Sequence, residues 1–94
     1  MTTAAERKHM GRVAELGCYL CRELGHGPTP AQVHHVREGL GMGQRASNWL
    51  TVPLCERHHA NSSPDGWHGQ RRAWNRAGRD EMDALADTIM RLMK

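Results

Sequence analysis

Leu54-Cys55-Glu56-Arg57-His58-His59, read together with Cys18-Tyr19-Leu20-Cys21, decides how this chain is built. Cys18 and Cys21 share the spacing of Cys55 and His58. That spacing sets two soft donors about one turn apart, so both can bite one ion. Two such pairs make a Cys3His set of the kind that closes a tetrahedral structural zinc site. Three buried free thiols are the competing reading, and a lone Cys-x-x-Cys would leave it competitive. A Cys18–Cys21 disulfide is a further alternative, but it strands Cys55. The repeated spacing favours zinc, which would tie the end of a first helix to the end of a second strand.

The rest of the chain calls for such a staple. Ninety-four residues suit a single domain spanning 1–94, too small to bury a large core. Hydrophobic residues make up 38%, Phe is absent, and Tyr19, Trp49, Trp67 and Trp74 are the aromatics. Three Cys cannot all pair within one chain, and seven His is a high count. Together they point to metal rather than disulfides, and so to a reducing cytoplasm. No window approaches the ~20 apolar residues of a membrane span, and the first residues have no apolar signal-peptide region. No membrane role is expected.

Local patterns give an α+β, loop-rich outline. Thr3-Ala4-Ala5-Glu6 has capping-box spacing, and Met10, Val13 and Ala14 follow on one helical face, so a helix is predicted from Ala4 to Leu16, stopped by Gly17. Gly25 to Pro30 must be a loop. Ala31 to Val36 reads as a short strand, and Trp49 to Leu54 as a second, with Pro53 demoting it to an edge or a strand end. Between them Arg37 to Ser47 reads as a long exposed loop. Gln70 to Ala77 is predicted helical, and a last helix runs from Asp80 to Leu92. Its Met82, Leu85, Ala86, Ile89, Leu92 and Met93 share a face read as core, with dimer packing second.

A second constellation follows from the histidines. Neighbouring residues on a strand point to opposite faces, so His34 and His35 can divide the work of holding a metal and addressing a substrate. His59 lies directly beside His58, and His68 falls between Trp67 and Gly69.

The His-His pair, followed by a strand ending Leu54-Cys55 and then x-x-His-His, resembles the HNH nucleases. From Cys18 to Gly69, just over half the chain, it is also similar to the phage recombination-enhancement nuclease family. That likeness rests on Cys-x-x-Cys, the run from His34 to Ser47, Leu50-Thr51-Val52-Pro53-Leu54-Cys55-x-x-His58-His59, and Trp67-His68-Gly69. The resemblance implies a zinc-stapled ββα-metal (His-Me finger) core flanked by N- and C-terminal helices. It implies a metal-dependent endonuclease that hydrolyses DNA phosphodiester bonds, phage or prophage encoded and linked to recombination. His34, His59 and His68 would hold a catalytic ion, Mg2+ or Mn2+, with Zn2+ or Ni2+ also suited to imidazoles. His35 would be the general base. Where many HNH enzymes place an Asn to align that base, this chain has Leu50; Asn48 could substitute, or could cap a turn and leave a backbone carbonyl to do it. A recombinase filament on DNA is the partner the family implies, the chain itself being a monomer or weak dimer.

Charge agrees with a nucleic-acid partner. The net charge is +3, and eleven of thirteen basic residues are Arg, whose planar fork suits phosphate. Arg37 and Arg45 in the long loop, and Arg71 and Arg72 after His68, are the candidate DNA contacts, against solvated faces. Trp67 and Trp74 read as core filling, and His9 and His26 as solvated. Two rival functions stand beside the nuclease: a non-catalytic zinc-stabilised nucleic-acid-binding module, which leaves His34, His35, His59 and His68 idle, and a structural phage protein with a degenerate site.

Overall fold

The structure, a computed structural model, describes residues 2–38, 40 and 46–94. Its elements in chain order are α1 (Ala4–Glu15), α2 (Tyr19–Glu23), β1 (Gln32–His35), β2 (Thr51–Leu54), α3 (Gly66–Ala77) and α4 (Glu81–Leu92). The start of α1 is the predicted capping box. Thr3 Oγ1 accepts from the Glu6 N–H, and Glu6 Oε1 accepts from the Thr3 N–H, both at 3.1 Å. The helix ends just before Gly17, whose φ of 80° is the left-handed region that a side chain resists. Cys18 then opens α2, its Sγ accepting from the Cys21 N–H at 3.3 Å. Sequence reading found the Cys-x-x-Cys but not this short helix, whose run of Tyr19, Leu20 and Cys21 is buried.

β1 and β2 pair antiparallel, with Gln32 opposite Leu54, Val33 opposite Pro53, His34 opposite Val52 and His35 opposite Thr51. The Val36 N–H donates to Leu50 O at 2.9 Å. By the alternation of an antiparallel ladder, 34/52 and 32/54 are then hydrogen-bonding pairs and 33/53 is not. Pro53 therefore sits where no N–H is needed, which reconciles it with a strand buried along its whole length. That burial comes from α1, α2 and α4 packing on β2. Leu20, Val36, Val52, Leu54, Trp74, Ala84 and Leu85 form the core together with Cys18, Cys21 and Cys55.

Two helices differ from expectation. α3 begins at Gly66, a turn before Gln70, so Trp67-His68-Gly69 is helical; Trp74 fills the core, whereas Trp67 is exposed rather than core filling. α4 has nearly the predicted bounds but a different inner face. Ala84, Leu85 and Thr88 are buried, while Met82, Ile89, Met90 and Met93 are exposed. The reason is polar anchoring: Glu81 reaches His34, and Asp87 accepts from Arg22 at 3.3 Å. These two contacts turn small residues toward β2 and leave the methionines outside. Among the described residues, no helix is long and apolar enough to cross a membrane.

Candidate metal centre and active-site cleft

Cys18, Cys21, Cys55 and His58 meet at one point. Their donor atoms all lie within 4.8 Å of one another, and all four residues are buried. His58 Nδ1 stands 3.6, 3.5 and 3.4 Å from the sulfurs of Cys18, Cys21 and Cys55, and Cys21 Sγ is 3.7 Å from Cys55 Sγ. A zinc tetrahedron with bonds of about 2.3 Å to sulfur and 2.05 Å to nitrogen has N···S edges of about 3.6 Å and S···S edges of about 3.8 Å. The three His58–sulfur edges and the Cys21–Cys55 edge therefore match those of the predicted structural zinc site. The thiols are unpaired, so the disulfide alternative does not apply. Burial pushes the Cys18 thiol up to about 12, so only a cation can draw off its proton here at neutral pH. Gln70 Nε2 donates to His58 O at 3.1 Å, tying this turn to α3.

One residue on, His59 faces a different space. It lines a cleft of about 950 Å3 with His34, His35, Arg37, Arg71, Arg79 and Glu81. The His34 and His59 rings meet edge-on, centroids 5.5 Å apart. Burial first, and then His34 and His35, hold His59 below the ordinary imidazole pKa, so it is neutral at physiological pH. Among the described residues, its buried Nδ1 has no hydrogen-bond partner, nor has Gln70 Oε1 in the same cleft. His34 Nε2 lies 2.6 Å from Glu81 Oε2. Burial pulls Glu81 upward, but the hydrogen bond and charge of His34 and the N–H groups of Arg37 and Glu38 outweigh it, leaving the carboxyl below its usual value and ionised.

His35 turns the other way along the strand. Its Nε2 is 2.8 Å from Asn48 Oδ1, and Asn48 Nδ2 donates to Glu6 Oε2 at 2.8 Å. A carboxylate only accepts, so Asn48 must give Glu6 its NH2 and show His35 its carbonyl. His35 Nε2 therefore carries the hydrogen, and in the neutral ring Nδ1 keeps its lone pair. The hydrogen bond from Asn48, and then those from Thr3, hold the Glu6 carboxyl below its usual value.

The remaining nominated residues divide. Arg37 and Arg71 line the cleft, while Arg72 does not: it pairs with Asp65 at 2.7 Å, beside the second hollow that contains Cys55 and His58. Arg45 lies outside the described residues. His68 is exposed in the first turn of α3 and is not among the cleft-lining residues; Glu81 stands beside His34 instead. His9 is not simply solvated, since its Nε2 lies 3.1 Å from Trp49 O. Sequence reading missed Glu81, which looked like an ordinary acidic first turn. It also missed the second oxygen of Glu6, whose capping-box role was visible. Neither contact has a local signal, because each joins residues more than forty positions apart.

A family profile described as recombination enhancement, RecA-dependent nuclease matches residues 2–76, which is 75 of the 94 residues. No curated protein and no solved structure matches the chain. The match takes in the quartet, both strands, His34, His35, Asn48 and His59, and stops before α4.

Proposed function

The chain belongs to the recombination-enhancement, RecA-dependent nuclease family, and from that membership we propose that it is an HNH-type endonuclease, a single domain hydrolysing DNA phosphodiester bonds in recombination. The observation that carries this reading is the chain of contacts from Glu6 through Asn48 to His35, which fixes a hydrogen on Nε2 and makes Nδ1 the nitrogen that takes a proton. A binding module has no use for an aligned base. In this reading β1, β2 and the following helix serve as the ββα-metal core, and the quartet holds zinc as its staple.

The cleft suits a divalent ion. His34 and His59 face each other there, and the buried Nδ1 of His59 has no hydrogen-bond partner among the described residues. Such an ion, when bound, supplies positive charge that stabilises the phosphate oxygens and the leaving 3′ oxygen in the transition state. The protein's own groups do the rest. His35 Nδ1 takes the proton of the attacking water, while Asn48 holds the ring in line through the opposite nitrogen. Arg37 and Arg71, exposed at the cleft, contact the DNA backbone and fix its register without reading sequence.

The test is nicking of plasmid and of single-stranded DNA with Mg2+ or Mn2+, with and without a RecA filament, comparing wild type with His35→Ala. Cleavage that drops by orders of magnitude in a folded, zinc-loaded His35→Ala chain is expected. Unchanged cleavage in that variant would sink the mechanism. No cleavage by wild type under any of these conditions would favour the binding module.

A further inference from the structure

We propose that Glu81 is the third protein ligand of the ion held by His34 and His59, so that α4, outside the 2–76 match, completes the metal site with an oxygen donor. The inference rests on the reading of the cleft given above.

Three observations lead to it. Glu81 Oε2 is 2.6 Å from His34 Nε2, and the two side chains are only 14% and 11% exposed. A surface ion pair has no need of that depth, and a carboxylate taken so far out of water carries a desolvation cost. The carboxylate is also aimed: the Arg37 N–H approaches both of its oxygens at 3.4 Å from just beyond β1. Finally, among the described residues, the buried Nδ1 of His59, edge-on to His34, has no hydrogen-bond partner, and neither has Oε1 of the fully buried Gln70 in the same cleft. His34, His59 and Glu81 thus line one cleft, with Glu81 in contact with His34 and the two imidazole rings meeting edge-on.

Donor chemistry then says what Glu81 adds. Two neutral imidazoles suit zinc, nickel or copper, whereas Mg2+ and Mn2+ prefer oxygen donors and negative charge. A carboxylate shifts the site toward Mn2+ and Mg2+. An ion bound through His34 Nε2 and Glu81 Oε2 would replace the hydrogen bond between these two atoms, whereas an ion bound through His34 Nδ1 would leave it in place, with Glu81 as an outer partner.

The experiment is Mn2+ binding to the full zinc-loaded chain, read by the electron-paramagnetic signal of free Mn2+, with Ni2+ binding by calorimetry beside it. Wild type, Glu81→Gln and His59→Ala are compared. Glu81→Gln keeps the shape and can still accept from His34, so the fold should hold. The expected result is a Mn2+ affinity lowered in Glu81→Gln by more than the about 10–100-fold typical of losing an outer-shell partner, a smaller loss for Ni2+, and little binding of either ion in His59→Ala; a loss only within that range overturns the assignment and makes Glu81 an outer partner of His34. Wild-type Mn2+ affinity in Glu81→Gln, with binding lost in His59→Ala, overturns the role of Glu81 alone and leaves it a pin for α4. Wild-type affinity in His59→Ala overturns both this inference and the ion site it rests on. Should Glu81→Gln lose its zinc, Glu81→Asp gives the same readout: it keeps the charge on a shorter arm, and weakened Mn2+ binding supports the assignment while undiminished binding refutes it.

Discussion

Withdrawing the ion from the Cys18, Cys21, Cys55 and His58 quartet should unfold this chain rather than loosen it. A chain of 94 residues has a net stability on the order of 5–14 kcal/mol, at ~0.05–0.15 kcal/mol per residue. A structural zinc contributes about 10–16 kcal/mol of apparent binding energy at neutral pH, which is as large as the whole margin. The core cannot make up the difference. Among its largest fully buried side chains, Leu20, Leu54, Val13 and Val52 are aliphatic, while Gln70, Thr51 and Thr88 are polar. Removing one ligand is gentler than removing the ion. Cys55→Ser should weaken zinc by more than the 10–100-fold typical of an outer-shell change, about 1.4–2.7 kcal/mol. At ~4–8 °C per kcal/mol for a chain of this size, that lowers Tm by at least about 6 °C. The assay releases zinc with a mercurial, counts it with a chromogenic chelator, and follows far-ultraviolet circular dichroism on the same sample. One zinc per chain from the quartet, and loss of helical signal in step with its release, are expected. A stripped chain that keeps its helical signal and still melts cooperatively would refute the reasoning and make the quartet a mere thiol cluster.

Two further outcomes follow from the same geometry. Asn48→Ala removes the acceptor at His35 Nε2, so the rate should fall on the order of 10²–10⁴-fold, as when a catalytic histidine loses its orienting partner, with Mn2+ affinity unchanged; a wild-type rate would mean that His35 is oriented by something else. Acid should destabilise the fold. His58 is held below the ordinary 6.5 by burial and then by His26, Arg57 and Arg76, and His59 by burial and then by His34 and His35. With both folded-state values depressed, the unfolded chain takes up protons first. This stabilisation is complete above about pH 6.5 and is lost as pH falls through the folded values. Thermal melts at about pH 7.5 and about pH 5.5 check it, and a Tm that rises on acidification contradicts it.

What could be read in advance was whatever is encoded locally. The box at Thr3 and Glu6, the paired spacings of the quartet, and the order of the two strands and the three longer helices depend on near neighbours, and they agree with the structure to within a few residues. Asn48 was legible as a candidate but not as the choice, because only the Glu6 contact from another helix fixes which end of its amide faces His35. α4 was misread for the same reason. Its apolar periodicity was real, but long-range polar contacts at Glu81 and Asp87 set its rotation. Glu81 had no sequence signal at all, since an acid in a first helical turn is ordinary.

His58 and His59 are joined by a single peptide bond, yet one belongs to the buried quartet and the other to the open cleft. That join makes quality control intrinsic to the molecule. A newly made chain that has not acquired its zinc has no fixed place for His59, and so, on the function proposed above, no assembled site for the second ion. On that reading, loading of the quartet precedes assembly of the cleft. The same join sets a rule for engineering. Residues across the cleft can be exchanged to change which ion or backbone is accepted, but an insertion between these two histidines would uncouple the staple from the blade.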